Sequence, residues 1–241
     1  YSRWKMKFLD PLIPGKLIKR YKRFLADVEL EGGEVVIAHC ANPGSMLKLQ
    51  EPDAEVWLSP ARNTNRKLKY TWEIVKCSDT YVGLNTSLTN KIVEESIQKN
   101  LIPELKGYDN LRREVQYGKN SRIDILLENA NLPNCYLEVK SVTLNRPERG
   151  KELAEFPDSV TARGTKHLYE LLDQVADGNR AVMFYLAQRE DCDQFSIADD
   201  LDPNYAKAFY VAQNAGVEML CYGCSISPEA IEITRKLEIL T

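Results

Sequence analysis

Asp124 and the run Glu138-Val139-Lys140 combine residue types and spacing that suit metal-assisted phosphoryl chemistry. On a strand, residues two apart share a face, so Glu138 and Lys140 project together while Val139 points into a core. Residues 128–134 are rich in Asn and Pro and read as the connection of a hairpin. A midpoint near Asn131 sets Asp124 opposite Glu138 on adjacent antiparallel strands. Two carboxylates face to face repel unless something positive lies between them. A divalent cation resolves the conflict, and Mg²⁺ takes few protein carboxylates while keeping several waters. Lys140 then orients or deprotonates a water, or neutralises charge developing on a phosphoryl group. The plainer alternative is a cross-strand salt bridge at a sheet surface. Glu104-Leu105-Lys106 repeats the acid-x-Lys spacing, but between Pro103 and Gly107 it is a turn.

The elements that must hold these groups follow from hydrophobic periodicity. Residues 23–30 alternate, with Phe24, Ala26, Val28 and Leu30 on one face, and Glu31-Gly32-Gly33-Glu34 turns the chain into 35–40. Residues 54–59, 68–77 and 81–84 supply further strands. Five short strands without a long helix predict a small barrel. Asn42-Pro43-Gly44-Ser45 is a loop by turn chemistry. From residue 89 the texture changes. A helix over 90–101 runs through Val93, Ile97 and Leu101 to Pro103, and strands follow at 111–117, 123–127 and 136–144. A second helix over 162–176 carries Leu168, Leu171, Leu172 and Val175 on one stripe. The apolar run 181–187 reads as a strand covered on both faces. Asp202-Pro203 opens a third helix through Tyr205, Ala208, Phe209 and Ala212, capped at Gly216, and 217–222 is the expected final strand. The fold class is mixed α/β, in the order α-β-β-β-α-β, then α-β.

The 241 residues are 44% hydrophobic and 28% charged, which excludes disorder, collagen and coiled coil. No apolar run is long enough for a membrane span and none reads as a signal peptide, so the expected compartment is the cytoplasm. Met6 is a plausible start, with residues 1–5 upstream of it. The six cysteines are scattered, and only Cys221-Tyr222-Gly223-Cys224 has metal or redox spacing. A zinc site needs a second close pair, so two buried thiols at a strand end are the expectation. No nucleophile elbow, P-loop or dinucleotide fingerprint occurs.

The net charge of −3 hides an asymmetry of +4 over residues 1–85 against −7 beyond. Residues 1–23 hold Arg3, Lys5, Lys7, Lys16, Lys19, Arg20, Lys22 and Arg23 against one acid, Asp10. A second cluster is Arg62, Arg66, Lys67 and Lys69, beside Tyr70 and Trp72. Bases interleaved with aromatics suit nucleic acid, with phosphates taking the charge and bases stacking on rings. A solvated strand face over core aromatics is the alternative. Arg163, Lys166 and His167 open the second helix, where backbone N–H groups and bases suit a phosphate, or simply cap the helix. His39, near Asn42 and Gly44, is either a loop-lining contact or a structural strand histidine.

The order of elements with its D…ExK pattern resembles the PD-(D/E)xK nuclease superfamily. More narrowly, the sequence resembles the sugar fermentation stimulation protein A family of bacterial and archaeal nucleic-acid-binding proteins. The matching stretches include Arg20-Tyr-Lys-Arg-Phe-Leu-Ala-Asp-Val28, Ala38-His-Cys-Ala-Asn-Pro-Gly-Ser-Met46, Ser121-Arg-Ile-Asp124, Leu137-Glu-Val-Lys-Ser-Val-Thr143 and Phe156-Pro-Asp-Ser-Val-Thr-Ala-Arg-Gly164. The resemblance implies an OB-like barrel over 1–88 and a nuclease-like α/β domain over 89–241. It implies DNA binding and a role in regulating maltose and other sugar metabolism. It makes Asp124 and Glu138 metal ligands, the Val139 carbonyl a third, and Lys140 the superfamily lysine. Of Glu94 and Glu95, which both flank the apolar stripe of their helix, it favours Glu95 as a further catalytic acid. Glu114 is a supporting candidate on the preceding strand. Ile123 stands where the superfamily name has proline. The expected cofactor is Mg²⁺ or Mn²⁺ without an organic group, and the expected partner is DNA, largely without sequence specificity. The rival reading is a non-catalytic DNA-binding regulator. A third is an RNA-binding barrel with a structural second domain.

Overall fold

A computed structural model describes residues 4–118 and 120–241. Arg3, counted above among the basic residues, lies outside them. The first part contains β1 (Met6–Lys7), β2 (Ile13–Tyr21), β3 (Leu25–Leu30), β4 (Val35–Cys40), β5 (Glu55–Pro60), β6 (Tyr70–Cys77) and β7 (Thr80–Gly83). Strands β4-β3-β2-β5-β6 lie side by side, and a parallel β4–β6 contact closes the ring. This is a five-stranded OB-like barrel. Leu17, Val28, Ala38, Leu58 and Trp72 fill it. Trp72 is therefore a core residue and not a surface platform beside the basic cluster.

Strand β2 escapes the periodicity because Pro14, Gly15 and three bases interrupt it, and a bulge between Leu17 and Lys19 breaks its alternation. Gly15 is required there: a Cβ would fall 2.6 Å from Val28 Cγ1 and 2.9 Å from the Glu29 carbonyl. β7, expected as a barrel strand, instead hangs from β6 outside the closed ring and reaches the second domain. Its Gly83 N–H donates to the Gln188 carbonyl at 2.9 Å.

The second part contains α1 (Thr89–Gln98), β8 (Asn110–Tyr117), β9 (Ser121–Asn129), β10 (Leu132–Val142), β11 (Leu144–Asn145), β12 (Leu153–Phe156) and α2 (Ala162–Ala176). It continues with β13 (Arg180–Ala187), β14 (Gln194–Ile197), α3 (Pro203–Asn214), β15 (Glu218–Ile226), β16 (Ala230–Lys236) and β17 (Glu238–Ile239). The main sheet runs β1-β16-β15-β13-β10-β9-β8, with β10, β13 and β15 parallel. α1 packs Ile92, Val93 and Ile97 on one face, and α2 and α3 pack Leu168, Leu171 and Phe209 on the other. That sandwich explains the unbroken apolar run of β13. The expected last strand is not last: β15 extends to Ile226 and β16 returns antiparallel to it. β1 pairs with β16, so the chain's first described strand belongs to this sheet and not to the barrel.

Cys221 and Cys224 are fully buried on β15, where burial pushes both thiols well up. They pack the core. Among the described residues no helix is long and apolar enough to cross a membrane.

Candidate active site

The β9–β10 hairpin turns tightly, with Asn129 paired to Leu132, but one extra residue on β10 shifts the ladder before Cys135 meets Leu127. A one-residue slip changes which side chains share a face. Without the bulge, Asp124 would come level with Leu137. With it, Leu137 pairs with Ile125, and the next step brings Glu138 level with Asp124. There the ladder ends, and the Asp124 side chain takes over the strand's bonding. Its Oδ2 accepts from the Val139 N–H at 2.8 Å, and its Oδ1 accepts from Asn90 Nδ2, on the first turn of α1, at 2.8 Å.

Glu138 is buried on the α2 side of the sheet. Its Oε1 accepts from Lys140 Nζ at 2.6 Å and makes a short contact with His167 Nδ1, which lies 3.2 Å from the same ammonium. Its Oε2 is buried with no hydrogen-bond partner. Electrostatics split the two acids. Burial raises the Glu138 carboxyl, but the Lys140 charge and the His167 and Lys140 hydrogen bonds overcome it, so the net shift is downward. Asp124 moves up, first through burial and then through the Glu138 charge. The Val139 N–H, Lys140 and Asn90 only partly offset that rise. A buried orphan oxygen beside a second carboxyl under like-charge strain is the donor set a hard cation accepts. Asp124 and Glu138 could hold such an ion, and Val139, next along β10, lines the cleft.

The remaining expected residues divide. Glu95 does not join the pair: it lies 3.8 Å from Lys91, and Glu94 is paired with Arg113 at 3.3 Å. Among the described residues no group of three His, Cys, Asp or Glu side chains is arranged around a metal position. Helix geometry gives the reason. With Asn90 over Asp124, Glu95 stands about 7.5 Å farther along the axis and about 140° round it. Glu114 is exposed, at φ 53° on β8, in left-handed backbone that non-glycine residues seldom adopt. His167 does not sit on an open phosphate-facing surface; it is buried against Glu138. Arg163 reaches His167 Nε2 at 3.4 Å, and Lys166 donates to Ser121 at 2.9 Å.

In the barrel, Lys22 and Arg23 form the β2–β3 turn, and Arg62, Arg66, Lys67 and Lys69 lie in or end the β5–β6 loop. Lys19 lies over the Tyr21 ring at 5.4 Å and near Asp27. Arg62 is paired with Asp10 at 2.7 Å. Arg20 is committed to structure: four hydrogen bonds run from its guanidinium to the carbonyls of Arg23, Asn42, Gly44 and Ser45. His39 sits on β4, its pKa lowered by burial and then by the Arg66 charge.

Asn90 is aimed by a seam at the foot of the barrel. The buried Glu73 accepts from Ser59 Oγ at 2.6 Å and from Asn85 Nδ2 at 2.9 Å, and Asn85 caps the turn leading into α1. Burial raises the Glu73 carboxyl above 4.5, against the Ser59 and Asn85 hydrogen bonds and the Arg66 charge. A raised acid stabilises the fold below its unfolded pKa and loses that contribution as pH rises through the folded one. Glu73→Gln keeps both hydrogen bonds once the Ser59 hydroxyl turns. It is expected to raise Tm at pH 7–8, by about 2–4 °C for each kcal/mol gained, with the gain vanishing toward pH 4.5. Melting curves across that range check it.

Two family models cover this architecture. The SfsA N-terminal OB domain matches residues 18–84, and the sugar fermentation stimulation protein RE domain matches residues 87–230. The chain belongs to the SfsA family. A sugar fermentation stimulation protein homolog of Maricaulis maris is 52% identical over 97% of this chain and 98% of its own. A homolog from Ruegeria sp. is 53% identical over 95% and 97% respectively. The solved structure of Pyrococcus furiosus SfsA in complex with Ca²⁺ is similar with a TM-score of 0.89 at 26% identity, covering 99% of this chain and 100% of that one.

Proposed function

We propose that this family member binds DNA and carries a divalent-metal-dependent phosphodiesterase site at Asp124, Glu138 and Lys140. The barrel, up to residue 88, supplies binding, and residues 89–241 supply the chemistry. The observation that carries the reading is the buried, unpartnered Glu138 Oε2 beside a carboxyl raised by burial and by the Glu138 charge. The archaeal relative's Ca²⁺ complex supports divalent-cation binding at this fold. Mg²⁺ or Mn²⁺ is the proposed activator, since both suit carboxylate and water ligands. When bound, the cation supplies Lewis acidity and a water of lowered pKa.

The chain's own groups do the rest. Asn90 and the Val139 N–H fix both Asp124 oxygens, and His167 and Lys140 fix Glu138 Oε1. Lys140, in the cleft, places a positive charge where the phosphoryl group gains negative charge. Hydrolysis forms a P–O bond to water and breaks the P–O bond to the leaving sugar oxygen, which takes up a proton. Labelled DNA incubated with Mg²⁺, with Mn²⁺ and with a chelator tests this. Cleavage with either ion and none with chelator is expected. No cleavage of single- or double-stranded DNA or RNA with either ion leaves a DNA-binding regulator.

Binding draws on other residues. The β2–β3 turn and the β5–β6 loop are the positions OB-folds use for nucleic acid, and both are basic here. Charge reversal at Arg23 and Lys67 is expected to weaken binding to all duplex sequences alike. The slope of log affinity against log salt, about −0.9 per phosphate contact, should flatten with it. Titrations at several salt concentrations measure this. Arg20 is unsuitable for that test because its loss releases the 42–45 loop.

A further inference from the structure

The cleft over Lys140 runs between the two domains and encloses about 280 Å³. Arg23 and Gly44 line it from the barrel, Asp158 and Val160 from the loop before α2, and Lys140 and Ser141 from β10. Its walls are tied together. Arg20 holds the 42–45 loop, the Met46 N–H donates to Asp158 Oδ2 at 2.9 Å, and Ser45 Oγ donates to the Asp158 carbonyl at 2.7 Å. A Cβ on Gly44 would fall 2.5 Å from Asp158 Oδ2, so the walls meet there without slack. Of the candidate site, Lys140 lines the cleft with its side chain 15% exposed, and the adjoining Glu138 side chain is 3% exposed.

The acids along the cleft are spoken for: Asp158 by the Met46 N–H, and Glu155 by Arg146 at 2.7 Å. Arg23 gives its Nε to the Pro43 carbonyl at 2.8 Å, and among the described residues no carboxylate pairs with it. Its guanidinium lies 5.8 Å from the centre of the Phe24 ring, which is 43% exposed. Val160 on the facing wall is 73% exposed. Arg23 and Val160 thus line the tied cleft from opposite walls, and the exposed Phe24 ring lies next to Arg23 on the barrel side.

Resting on the phosphodiesterase reading, we propose that this cleft takes a single strand of DNA, with bases unstacked at Phe24 and Val160, in preference to a duplex. The cleft has about the volume of a small-molecule pocket, far too small for a duplex whose major groove alone is about 12 Å wide and 8.5 Å deep, and its walls are tied at Asp158. A duplex also hides the base faces that an exposed ring and an apolar wedge contact. A lone strand offers its phosphate to Lys140, its charge to Arg23 and its bases to Phe24.

Anisotropy with one labelled DNA sequence, as single strand and as blunt duplex in Ca²⁺, tests this on the whole chain. The single strand is expected to bind at least about tenfold tighter. Phe24→Ala should cost about tenfold and Val160→Ser severalfold on the single strand, with duplex affinity and Tm unchanged. Equal affinity for duplex and single strand overturns the proposal, as does a preference that survives Phe24→Ala. Tighter binding of the matching RNA strand overturns the assignment to DNA. Cleavage of both forms is followed separately in Mn²⁺. If neither is cut, the phosphodiesterase reading fails, while strand preference still decides this inference.

Discussion

Lys140→Ala is expected to lower Mg²⁺- or Mn²⁺-dependent DNA cleavage by about 10²–10³-fold, the usual cost of removing one preorganised charge from a developing anion. Duplex affinity should change little, because the basic turns of the barrel are untouched. The same substitution removes the main group holding the Glu138 carboxyl down, so burial then pushes that carboxyl up. Cleavage and anisotropy, measured side by side on the same preparations, separate these effects. Equal loss of duplex binding and cleavage would mean that Lys140 is a DNA contact and nothing more.

Arg146→Ala is the substitution expected to damage stability most. Arg146 holds Glu155 through paired bonds of 2.8 and 2.7 Å and Asp200 through bonds of 2.7 and 2.8 Å. The Glu155 side chain is 0% exposed, and among the described residues only the Arg149 charge, at 3.5 Å, remains near it once Arg146 is gone. Stripping one partner from a buried pair costs about 3–5 kcal/mol, which is about 6–20 °C in Tm for a chain of this size. Replacing both partners, Arg146→Met with Glu155→Leu, should recover most of the loss, since no buried charge is left alone. Glu155 sits on β12 in the wall of the cleft, so the pair also keeps that wall in place. Thermal melts of the single and double variants test the argument.

The carboxylate pair was legible because a hairpin connection is visible in composition and because strand side chains alternate. The device that sets its register was not legible. A turn centred between Ala130 and Asn131 would by itself bring Asp124 level with Leu137. The extra β10 residue corrects this, and nothing in the Pro133-Asn134 pair announces a bulge as distinct from a loop. Helix α2 did carry a missed signal. Gly164 and His167 extend the stripe of Leu168 and Leu171 backward at helical spacing, which puts His167 inside, as it proves to be. Reading its neighbours as bases at a helix start hid this. Asn90 had no comparable signal. The amide reaches Asp124 because the capped turn at Asn85 fixes where α1 begins, and that depends on Glu73 in another domain. The barrel's central strand β2 was concealed by Pro14, Gly15 and the bases that interrupt its alternation.

The central claim is that Asp124 and Glu138 share a cation. Crystals of this chain equilibrated with Mn²⁺ and measured for anomalous scattering test it most directly. A single strong peak bounded by an Asp124 oxygen, Glu138 Oε2 and the Val139 carbonyl is the expected result, absent from crystals of Asp124→Asn. No peak at this position with Mn²⁺ in excess, or a peak whose ligands lie elsewhere, would contradict the account.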